Sequence, residues 1–301
     1  MDSNKVGEYV RSMRPYFIVN PVAGGGKALE KFDELKKFFD SKGVGYAYAL
    51  TEKAGGSAAL AEEAYASGER YIVAVGGDGT VSEIASALGN KDDVITGICP
   101  FGTGNDFAGT LGLSSDPEKA AETLLNGTPV PVDLGRVGDR FFINVLGLGF
   151  DVDVVINTER YKTKYRGMIP YLLGIMRSMF HLSGVGLKLT ADGETRELKA
   201  LIVAIANGPR FGGGMVVAPD ADPSDGYFDV CVIKKIDFFR FLTLLPLFVK
   251  GKHVGKKPVM YFKAKEVELS CESTPLELDG ELGEYAPAKV VIKHSALKIM
   301  R

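Results

Sequence analysis

The sequence predicts two domains: an N-terminal doubly wound α/β domain and a C-terminal antiparallel β-sandwich. Up to about residue 126, short apolar strands alternate with amphipathic helices, which is typical of a parallel sheet. Gly127–Pro131 is a short linker with two prolines, and after it consecutive strands follow one another with turn signals between them. We therefore place the first domain at residues 1–130 and the second at 131–294.

Composition limits the class of protein. The chain has 301 residues, of which 46% are hydrophobic and 25% are charged, as in soluble globular proteins. A formal net charge of -2 argues against a nucleic-acid binder. Cys99, Cys231 and Cys271 lack metal-type spacing, and we expect a reducing, cytoplasmic compartment. We also expect no secretion signal in residues 1–15 and no membrane-spanning segment.

The first predicted strand, Tyr16–Val19, ends at Asn20-Pro21 and is followed by the loop VAGGGK. This loop resembles a Walker P-loop only superficially, because Lys27 is followed by Ala28 rather than by Ser or Thr. We reject a Walker ATPase. A role for the loop in lining a nucleotide pocket stays open.

The next elements repeat the strand and helix pattern. The carboxyl ends of parallel strands meet at one edge of a sheet, where ligands bind. We therefore expect Asn20, Thr51 and Asp78 to converge there. The predicted elements are helix Ala28–Ser41, strand Tyr46–Leu50, helix Ser57–Ser67 and strand Tyr71–Val75.

The loop Gly76-Gly77-Asp78-Gly79-Thr80 joins the third strand to a helix. Glycines let a ligand approach the backbone, and a helix N-terminus presents N–H groups, so this is a phosphate-binding geometry. Asp78 would repel a bare phosphate, which indicates an intervening divalent cation or sugar hydroxyl. The alternative is that Asp78 merely caps the helix that begins near Thr80.

A second glycine loop follows the predicted strand Val94–Cys99 and has the sequence PFGTGNDFA at residues 100–108. Asn105 or Asp106 is placed to cap the next helix. A further helix is predicted at Asp116–Asn126. Two Gly-Thr loops with carboxylates at the ends of two strands favour one shared site for a polyphosphate and a metal.

Together, GGDGT at 76–80 and P-x-GTxNDFA at 100–108 resemble the catalytic domain of diacylglycerol kinases and related lipid kinases, which include sphingosine and ceramide kinases. NAD kinases and phosphofructokinases share the GGDG part, whereas the NDFA half belongs to the lipid kinase branch. The resemblance spans Asn20 to Glu281 and implies ATP and Mg2+ as cofactors. The nucleotide-lining residues that it implies are Asn20, Pro21, Thr51, Gly76, Gly77, Asp78, Gly79, Thr80, Gly102, Thr103, Asn105 and Asp106.

The second domain is predicted as strands with turn signals between them. The resembled family has a sandwich as its second domain, and in that family the C-terminal tail, here residues 295–301, returns to the first domain. The predicted strands are Val132–Val137, Arg140–Leu146, Val185–Ala191, Glu197–Ala206, Asp229–Ile233, Glu266–Cys271 and Lys289–Lys293.

Two acidic loops of the second domain have alternative interpretations. Pro219–Asp229 is a solvated turn on composition alone, but the resemblance implies a structural Mg2+ held by Asp222, Asp225 and Tyr227, the first and last through main-chain oxygens. The turn Leu276–Glu281 is a hairpin with an Asp-Gly signal. The resemblance implies that this turn faces the nucleotide and supplies carboxylates.

For the catalytic residues we favour Glu281 as the acceptor of the hydroxyl proton, with Asp279 beside it and Asp78 at the nucleotide. The carboxylates of Asp279 and Glu281 need not point the same way, so we expect one to do chemistry and its neighbour to orient it.

Two aromatic-rich stretches, Tyr165–Leu182 and Ile236–His253, are flanked by Lys and Arg. Each is either an interfacial helix that collects lipid from a bilayer or a helix packed on the sandwich. For the first stretch we favour packing. For the second both interpretations stay open, and the membrane interpretation rests on Phe238, Phe239, Phe241, Leu244, Leu245 and Phe248 beside Lys250 and Lys252.

The main functional hypothesis is an ATP-dependent lipid kinase that phosphorylates a lipid hydroxyl, with diacylglycerol as the default acceptor and phosphatidic acid as the product. The alternatives are an NAD kinase-like enzyme and a non-catalytic nucleotide- or lipid-binding module. Asp78, Asp106, Asp279 and Glu281 are all present, which favours an enzyme. We expect a cytoplasmic protein that meets its lipid substrate peripherally at a membrane surface and binds no nucleic acid. A homodimer is left open.

Overall fold

The computed structural model describes residues 13–53, 55–162, 164–165 and 169–301, and the chain divides into two compact units. The first unit is Met1–Val132 with Ser295–Arg301, and the second is Asp133–His294. The first boundary lies two residues beyond the predicted one, and the last falls between residues 294 and 295. The expectation of no secretion signal concerns mostly residues 1–12, which lie outside the described residues.

The first unit is built on parallel strands in the order β2-β1-β3-β4, and the end of β15 pairs with β4. Its strands are β1 (Tyr16–Val19), β2 (Ala47–Leu50), β3 (Tyr71–Gly76) and β4 (Ile95–Pro100). Its helices are α1 (Lys27–Ser41), α2 (Gly56–Ala66), α3 (Asp78–Leu88), α4 (Asp106–Thr110) and α5 (Pro117–Asn126).

The core of this unit follows from the apolar spacing of α1 and from the consecutive buried residues of β1. Phe32, Leu35 and Phe39 repeat at helical spacing and are fully buried. The ring of Phe17 on β1 lies 5.2 Å from that of Phe32 and 5.5 Å from that of Phe39. Every residue of β3 and β4 is buried, as expected for strands covered by helices on both faces.

The C-terminal tail belongs to this sheet. Lys298 and Ile299 pair in parallel with Ile95 and Thr96 of β4. The backbones of Thr128 and Arg301 exchange hydrogen bonds of 2.7 and 3.1 Å. The tail therefore lies where the resemblance implied.

The second unit is an antiparallel β-sandwich with one large apolar core. The long strands β9 and β14 each pair with β8 over one stretch and with β7 over another, which joins the layers. The fold class is therefore confirmed. The strands are β5 (Pro129–Val137, which begins in the first unit), β6 (Arg140–Phe142), β7 (Val145–Gly149), β8 (Val185–Ala191), β9 (Glu194–Ala206), β10 (Arg210–Phe211), β11 (Met215–Val216), β12 (Phe228–Lys234), β13 (Val259–Ala264), β14 (Glu266–Leu278) and β15 (Glu281–Met300).

Several predicted strands in this unit have different bounds. The predicted strand Arg140–Leu146 is split, because the backbone at Ile143 and Asn144 turns its N–H groups to the carboxylate of Asp279. The predicted strands at 266–271 and 289–293 are parts of the much longer β14 and β15. Strand β13 was not predicted.

Three helices accompany the sandwich: α6 (Phe150–Lys162), α7 (Ile169–Ser178) and α8 (Phe238–Val249). Helix α6 was not predicted, and residues 166–168 of the predicted stretch Tyr165–Leu182 lie outside the described residues. In the part of the chain that the structure describes, no helix is both long and apolar enough to cross a membrane.

Helix α8 combines both interpretations of the second apolar stretch. Phe241, Leu244 and Phe248 are buried against the sheet, so these three do not belong to an exposed docking face. Phe239, by contrast, is 78% exposed. One side of α8 is core and the other faces solvent.

Candidate functional site

The glycine loop after β1, a short 3-10 turn at Ala23–Gly26, packs against the loop at residues 100–108. Gly24 has φ 60, and a Cβ at this position would lie 2.5 Å from the carbonyl oxygen of Phe101. Asn20, just before the loop, donates from Nδ2 to Thr80 Oγ1 at 3.4 Å and accepts from the N–H of Val22 at 3.2 Å. Asn20 therefore connects the end of β1 to the GGDGT loop, as the parallel sheet predicted.

The GGDGT loop and the GTGND loop interlock through their backbones. Gly102 donates its N–H to the Gly76 carbonyl at 2.9 Å, and Asp78 donates its N–H to the Gly104 carbonyl at 3.0 Å. A Cβ on Gly102 would lie 2.2 Å from the Cα of Gly77. Only glycines permit this approach.

The carboxylate of Asp78 caps the helix of the neighbouring loop. Its Oδ2 accepts from the N–H of Asp106 at 3.0 Å, and its Oδ1 accepts from the N–H of Phe107 at 3.2 Å. From the sequence, the alternative to a metal role for Asp78 was a cap of its own helix, α3. In the structure Asp78 caps α4 instead. Asp78 therefore supports loop structure, and its roles toward phosphate or Mg2+ stay predictions.

Asn105 was a candidate cap for α4; it occupies the N-cap position, but its side chain makes no capping hydrogen bond. Its side chain closes its own loop, since Oδ1 accepts from the N–H of Gly102 at 3.2 Å and Nδ2 donates to the Gly102 carbonyl at 2.9 Å. Asp78, rather than Asn105, supplies the cap because it reaches the first amides of α4 from the next strand. Thr103, between these residues, is exposed.

Helix N-termini at this edge differ in what they offer to an anion. The N-terminus of α2 is filled by Glu83, which accepts from the N–H of Gly55 at 3.1 Å and of Ser57 at 2.9 Å. Helices α1 and α3 begin after Gly26 and Gly77, which have no capping side chain. These two N-termini can therefore attract phosphate.

The remaining predicted nucleotide residues differ in access. Thr51 and Thr80 are 9% and 4% exposed, so they support the loop structure and present little surface to a nucleotide. Gly79 is exposed, and a Cβ built there meets nothing within 4 Å. Open space therefore lies over the first turn of α3, next to its N–H groups.

In the second unit, the turn at Asp279-Gly280 adopts positive φ values of 51 and 88. The Asp279 carboxylate accepts from the N–H groups of Ile143, Asn144 and Val145, each at 2.9 Å. The Glu281 side chain is 48% exposed, with Arg140 Nη2 at 3.4 Å from Oε2. The two carboxylates point to different partners, and Asp279 acts as an anchor.

Two buried acids near this turn were not predicted. Glu277 is 2% exposed, and its Oε2 accepts from the N–H of Gly280 at 2.6 Å. Burial raises the pKa of Glu277 well above its usual value, and the nearby Asp151 adds to the increase. Burial, with a smaller contribution from Asp153, raises the pKa of Asp151 to about 7. For Glu277 the only sequence signal was its place between Leu276 and Leu278 in a sandwich strand.

An apolar cleft lies between the three helices of this unit and its sheet. Its free volume is about 20 Å³, and Phe150, Ile175, Phe211 and Phe248 are among its walls. Asp151 also lines it, and Asp151 Oδ2 has no hydrogen-bond partner among the described residues. The cleft therefore offers a carboxyl oxygen among walls that are mostly hydrocarbon.

The loop at 219–229 has internal partners for its acids. Asp222 Oδ1 accepts from Ser224, and Asp225 accepts from the N–H of Tyr227. Lys263 Nζ lies 2.6 Å from Asp225 and 2.9 Å from Asp229. Burial alone would lower the pKa of Lys263, but the hydrogen bonds to these two acids raise it to about 12.

These side chains do not fit a metal ion as they stand, because an ammonium group already neutralises Asp225. Among the residues that the structure describes, no three or more His, Cys, Asp or Glu side chains are grouped as a metal site. Mg2+ binding by Asp222, Asp225 and Tyr227 stays a prediction that requires Lys263 to move away from Asp225.

Comparison with known proteins assigns both parts of the chain. Residues 14–137 match the model of the diacylglycerol kinase catalytic domain, and residues 144–301 match the YegS C-terminal NAD kinase beta sandwich-like domain. The diacylglycerol kinase of Bacillus subtilis (strain 168) is 30% identical over 281 residues, which cover 92% of this chain and 93% of that protein. A diacylglycerol kinase of Mycobacterium tuberculosis is 29% identical over 291 residues, 94% of each chain.

A solved structure is similar over nearly its full length. The crystal structure of a diacylglycerol kinase homologue from Bacillus anthracis str. Sterne superposes with a TM-score of 0.78 at 26% sequence identity, covering 95% of this chain and 97% of that one. The similarity therefore extends over both units.

Replacing Lys263 should destabilise the protein. Lys263→Met removes the cation from Asp229, whose side chain is 1% exposed, and leaves that buried carboxylate without the positive charge of Lys263. We expect a loss of about 2 kcal/mol in the free energy of unfolding, less than for a fully buried pair because Lys263 is partly exposed. Urea unfolding measures it. Lys265→Met, an exposed lysine two residues away, is the control and should change little; equal effects would contradict this role of Lys263.

Proposed function

Because the chain belongs to the family of diacylglycerol kinase-like lipid kinases, we propose that it transfers the γ-phosphate of ATP to a lipid hydroxyl, with diacylglycerol as the default acceptor. The observation that carries the proposal is the pair of interlocked glycine loops beside helix N-termini that lack capping side chains. Phosphoryl transfer depends mainly on positioning and on electrostatic stabilisation, and this arrangement supplies backbone N–H groups for both.

The nucleotide loops are suited to phosphate for two reasons. The open space over Gly79 lets an anion come close to the first turn of α3. The interlock with Gly102 fixes the loop beforehand, so little order has to be gained on binding. Mg2+ bound with ATP would neutralise charge that develops on the phosphates.

The apolar cleft supports a lipid acceptor. Its walls are hydrocarbon, as an acyl chain requires, and the unpaired Asp151 Oδ2 suits the hydroxyl group that such a molecule carries. The free volume of about 20 Å³ is close to that of one water molecule, so the walls have to move apart to admit a chain. A soluble acceptor such as NAD has no hydrocarbon chain to match these walls. The cleft therefore favours the lipid hypothesis over the NAD kinase-like one.

Within the acidic turn, the hydrogen bonds separate two roles. Both carboxylate oxygens of Asp279 accept from backbone N–H groups, three in all, and these hydrogen bonds fix the turn. Glu281 reaches solvent and has a guanidinium nearby. We assign acceptance of the hydroxyl proton to Glu281 and a supporting role to Asp279.

Access to the lipid is assigned to a surface that we call the α7–α8 patch, formed by Leu172, Met176, Phe180, Phe238 and Phe239. Leu172, Met176, Phe180 and Phe239 are 56%, 60%, 75% and 78% exposed, and the Phe180 and Phe238 rings stack at 6.3 Å. Arg177 and Arg240 lie on the same helices. An apolar surface with basic neighbours suits peripheral binding to anionic lipid.

The activity itself is tested with radiolabelled ATP against lipids in mixed micelles, with NAD as a soluble control. We expect lipid phosphorylation by the wild type. Gly79→Ala should keep the fold, because the new methyl meets no protein atom, and should raise the KM for ATP about tenfold by obstructing phosphate. Gly109→Ala, which also meets nothing, is the matched control. Phosphorylation of NAD alone would overturn the lipid assignment.

The acidic turn gives a second prediction, which separates chemistry from structure. Glu281→Gln should lower kcat by about a hundredfold or more without loss of stability. Asp279→Asn should lower the free energy of unfolding by about 1–3 kcal/mol, because an amide cannot accept from all three backbone N–H groups. Steady-state kinetics and urea unfolding measure the two effects. A normal kcat in Glu281→Gln would place the base elsewhere.

The membrane surface gives a third prediction. Phe239→Asp should abolish flotation with phosphatidylglycerol-containing vesicles, since a carboxylate at the patch opposes burial in lipid and repels anionic headgroups. Tyr285→Asp introduces the same charge at another exposed aromatic, 59% accessible, and should float as the wild type does. Equal flotation of folded Phe239→Asp and wild type would show that the patch does not dock.

A further inference from the structure

Glu277 connects the sandwich to the acidic turn. It lies on β14 directly opposite Gly147 of β7, where the two strands pair. Its buried side chain bends back to its own hairpin, and its Oε2 accepts from the N–H of Gly280 at 2.6 Å. The carboxyl group thus holds the residue that separates Asp279 from Glu281.

Strand β7 joins this turn to the apolar cleft. The N–H of Val145, at the beginning of the strand, is one of the three that hold Asp279. The strand ends at Gly149, and Asp151 follows two residues later on the wall of the cleft. Only five residues of the chain therefore lie between Val145, which binds Asp279, and Asp151 in the cleft.

Gly147, in the middle of β7, makes room for two acidic side chains. A Cβ at Gly147 would lie 2.7 Å from Glu277 Oε1 and 3.1 Å from the Cβ of Asp151. Any side chain larger than hydrogen would thus displace one of the acids. The side chains of both acids therefore border the space that this glycine leaves open.

The surroundings of the pair lack a compensating cation. Among the described residues neither Asp151 nor Glu277 forms an ion pair with Lys, Arg or His, and Asp151 Oδ2 has no hydrogen-bond partner. The titratable groups that face them are Asp153 on α6, Asp279 in the turn and Cys231 on β12, and His181 faces Asp153. Two buried carboxyl groups without a cation cannot both ionise readily.

We propose that Glu277 is a positioning residue for the acidic turn, and that it and Asp151 form a buried carboxyl pair that retains a proton at neutral pH. The proton lets Glu277 stay against Gly280 instead of being repelled by Asp151 and Asp279. The expected effect on turnover rests on the proposed kinase function, whereas the expected effect on stability does not.

The sign of the pH dependence follows from the direction of the pKa shifts. Burial raises the folded-state pKa of Glu277 above its usual value of 4.5, so the folded protein holds a proton that the unfolded chain releases. Stability from this group is therefore present at low pH and declines as pH rises above about 4.5. Glu277→Gln removes the decline and keeps an oxygen that can accept from Gly280.

The test compares wild type, Glu277→Gln, Glu277→Leu and the exposed control Glu272→Gln by urea unfolding between about pH 5 and pH 8.5. We expect the stability of Glu277→Gln to rise relative to the wild type as pH increases, while Glu272→Gln shows no such trend. A difference between Glu277→Gln and wild type that does not vary with pH would overturn the retained proton.

Turnover tests the positioning role. Glu277→Leu should lower kcat about tenfold or more at unchanged KM for ATP, and Glu277→Gln should restore most of it. The pH profile of kcat should lose its alkaline decline in Glu277→Gln. A normal kcat in folded Glu277→Leu would overturn the positioning role. If this variant does not fold, an alkaline decline of kcat in Glu277→Gln equal to that of the wild type would overturn it instead. If the wild type phosphorylates no lipid, the proposed function fails, while the unfolding data still decide the carboxyl pair.

Discussion

The first unit depends on the contact between Gly77 and Gly102. Strands β3 and β4 are neighbours and parallel, so the loops after them emerge at the same edge and have to pass each other. They do so with backbone against backbone, because neither glycine carries a Cβ. The hydrogen bonds between the two loops satisfy backbone N–H and carbonyl groups that would otherwise need water. The carboxylate of Asp78 then fixes the start of α4. Loop order is thus built into the sheet edge before any ligand binds.

The first unit was largely predictable because its signals are local. Each strand is a short apolar run, each loop carries glycines, and strand β1 has the predicted bounds Tyr16–Val19. The second unit was less predictable because its long strands change partners along their length. Strand β14 pairs with β8 near Leu269 and with β7 near Leu276, and nothing local in the sequence marks the exchange. Only the folded sheet determines where these strands continue.

The candidate site follows the same division. Residue types at a strand end could be read from the sequence, and Asn20 indeed reaches the GGDGT loop through Thr80. The partner of each carboxylate could not be read, because backbone amides far along the chain decide it. Asp279 accepts from Asn144, 135 residues earlier. Glu277 is the extreme case, since an acid in a sandwich strand is ordinarily solvated and only the space above Gly147 admits it to the interior.

The acids of this chain fall into two groups by what their oxygens accept. Asp78, Glu83 and Asp279 each accept from two or more backbone N–H groups, which orients loops and helix ends. A carboxylate committed in this way cannot swing toward a substrate without releasing the backbone that it holds. Chemistry is therefore best assigned to acids whose oxygens are not committed to the backbone. Two acids differ from this group: the side chain of Glu281, the proposed base, is 48% exposed, and Asp151 Oδ2 has no hydrogen-bond partner among the described residues.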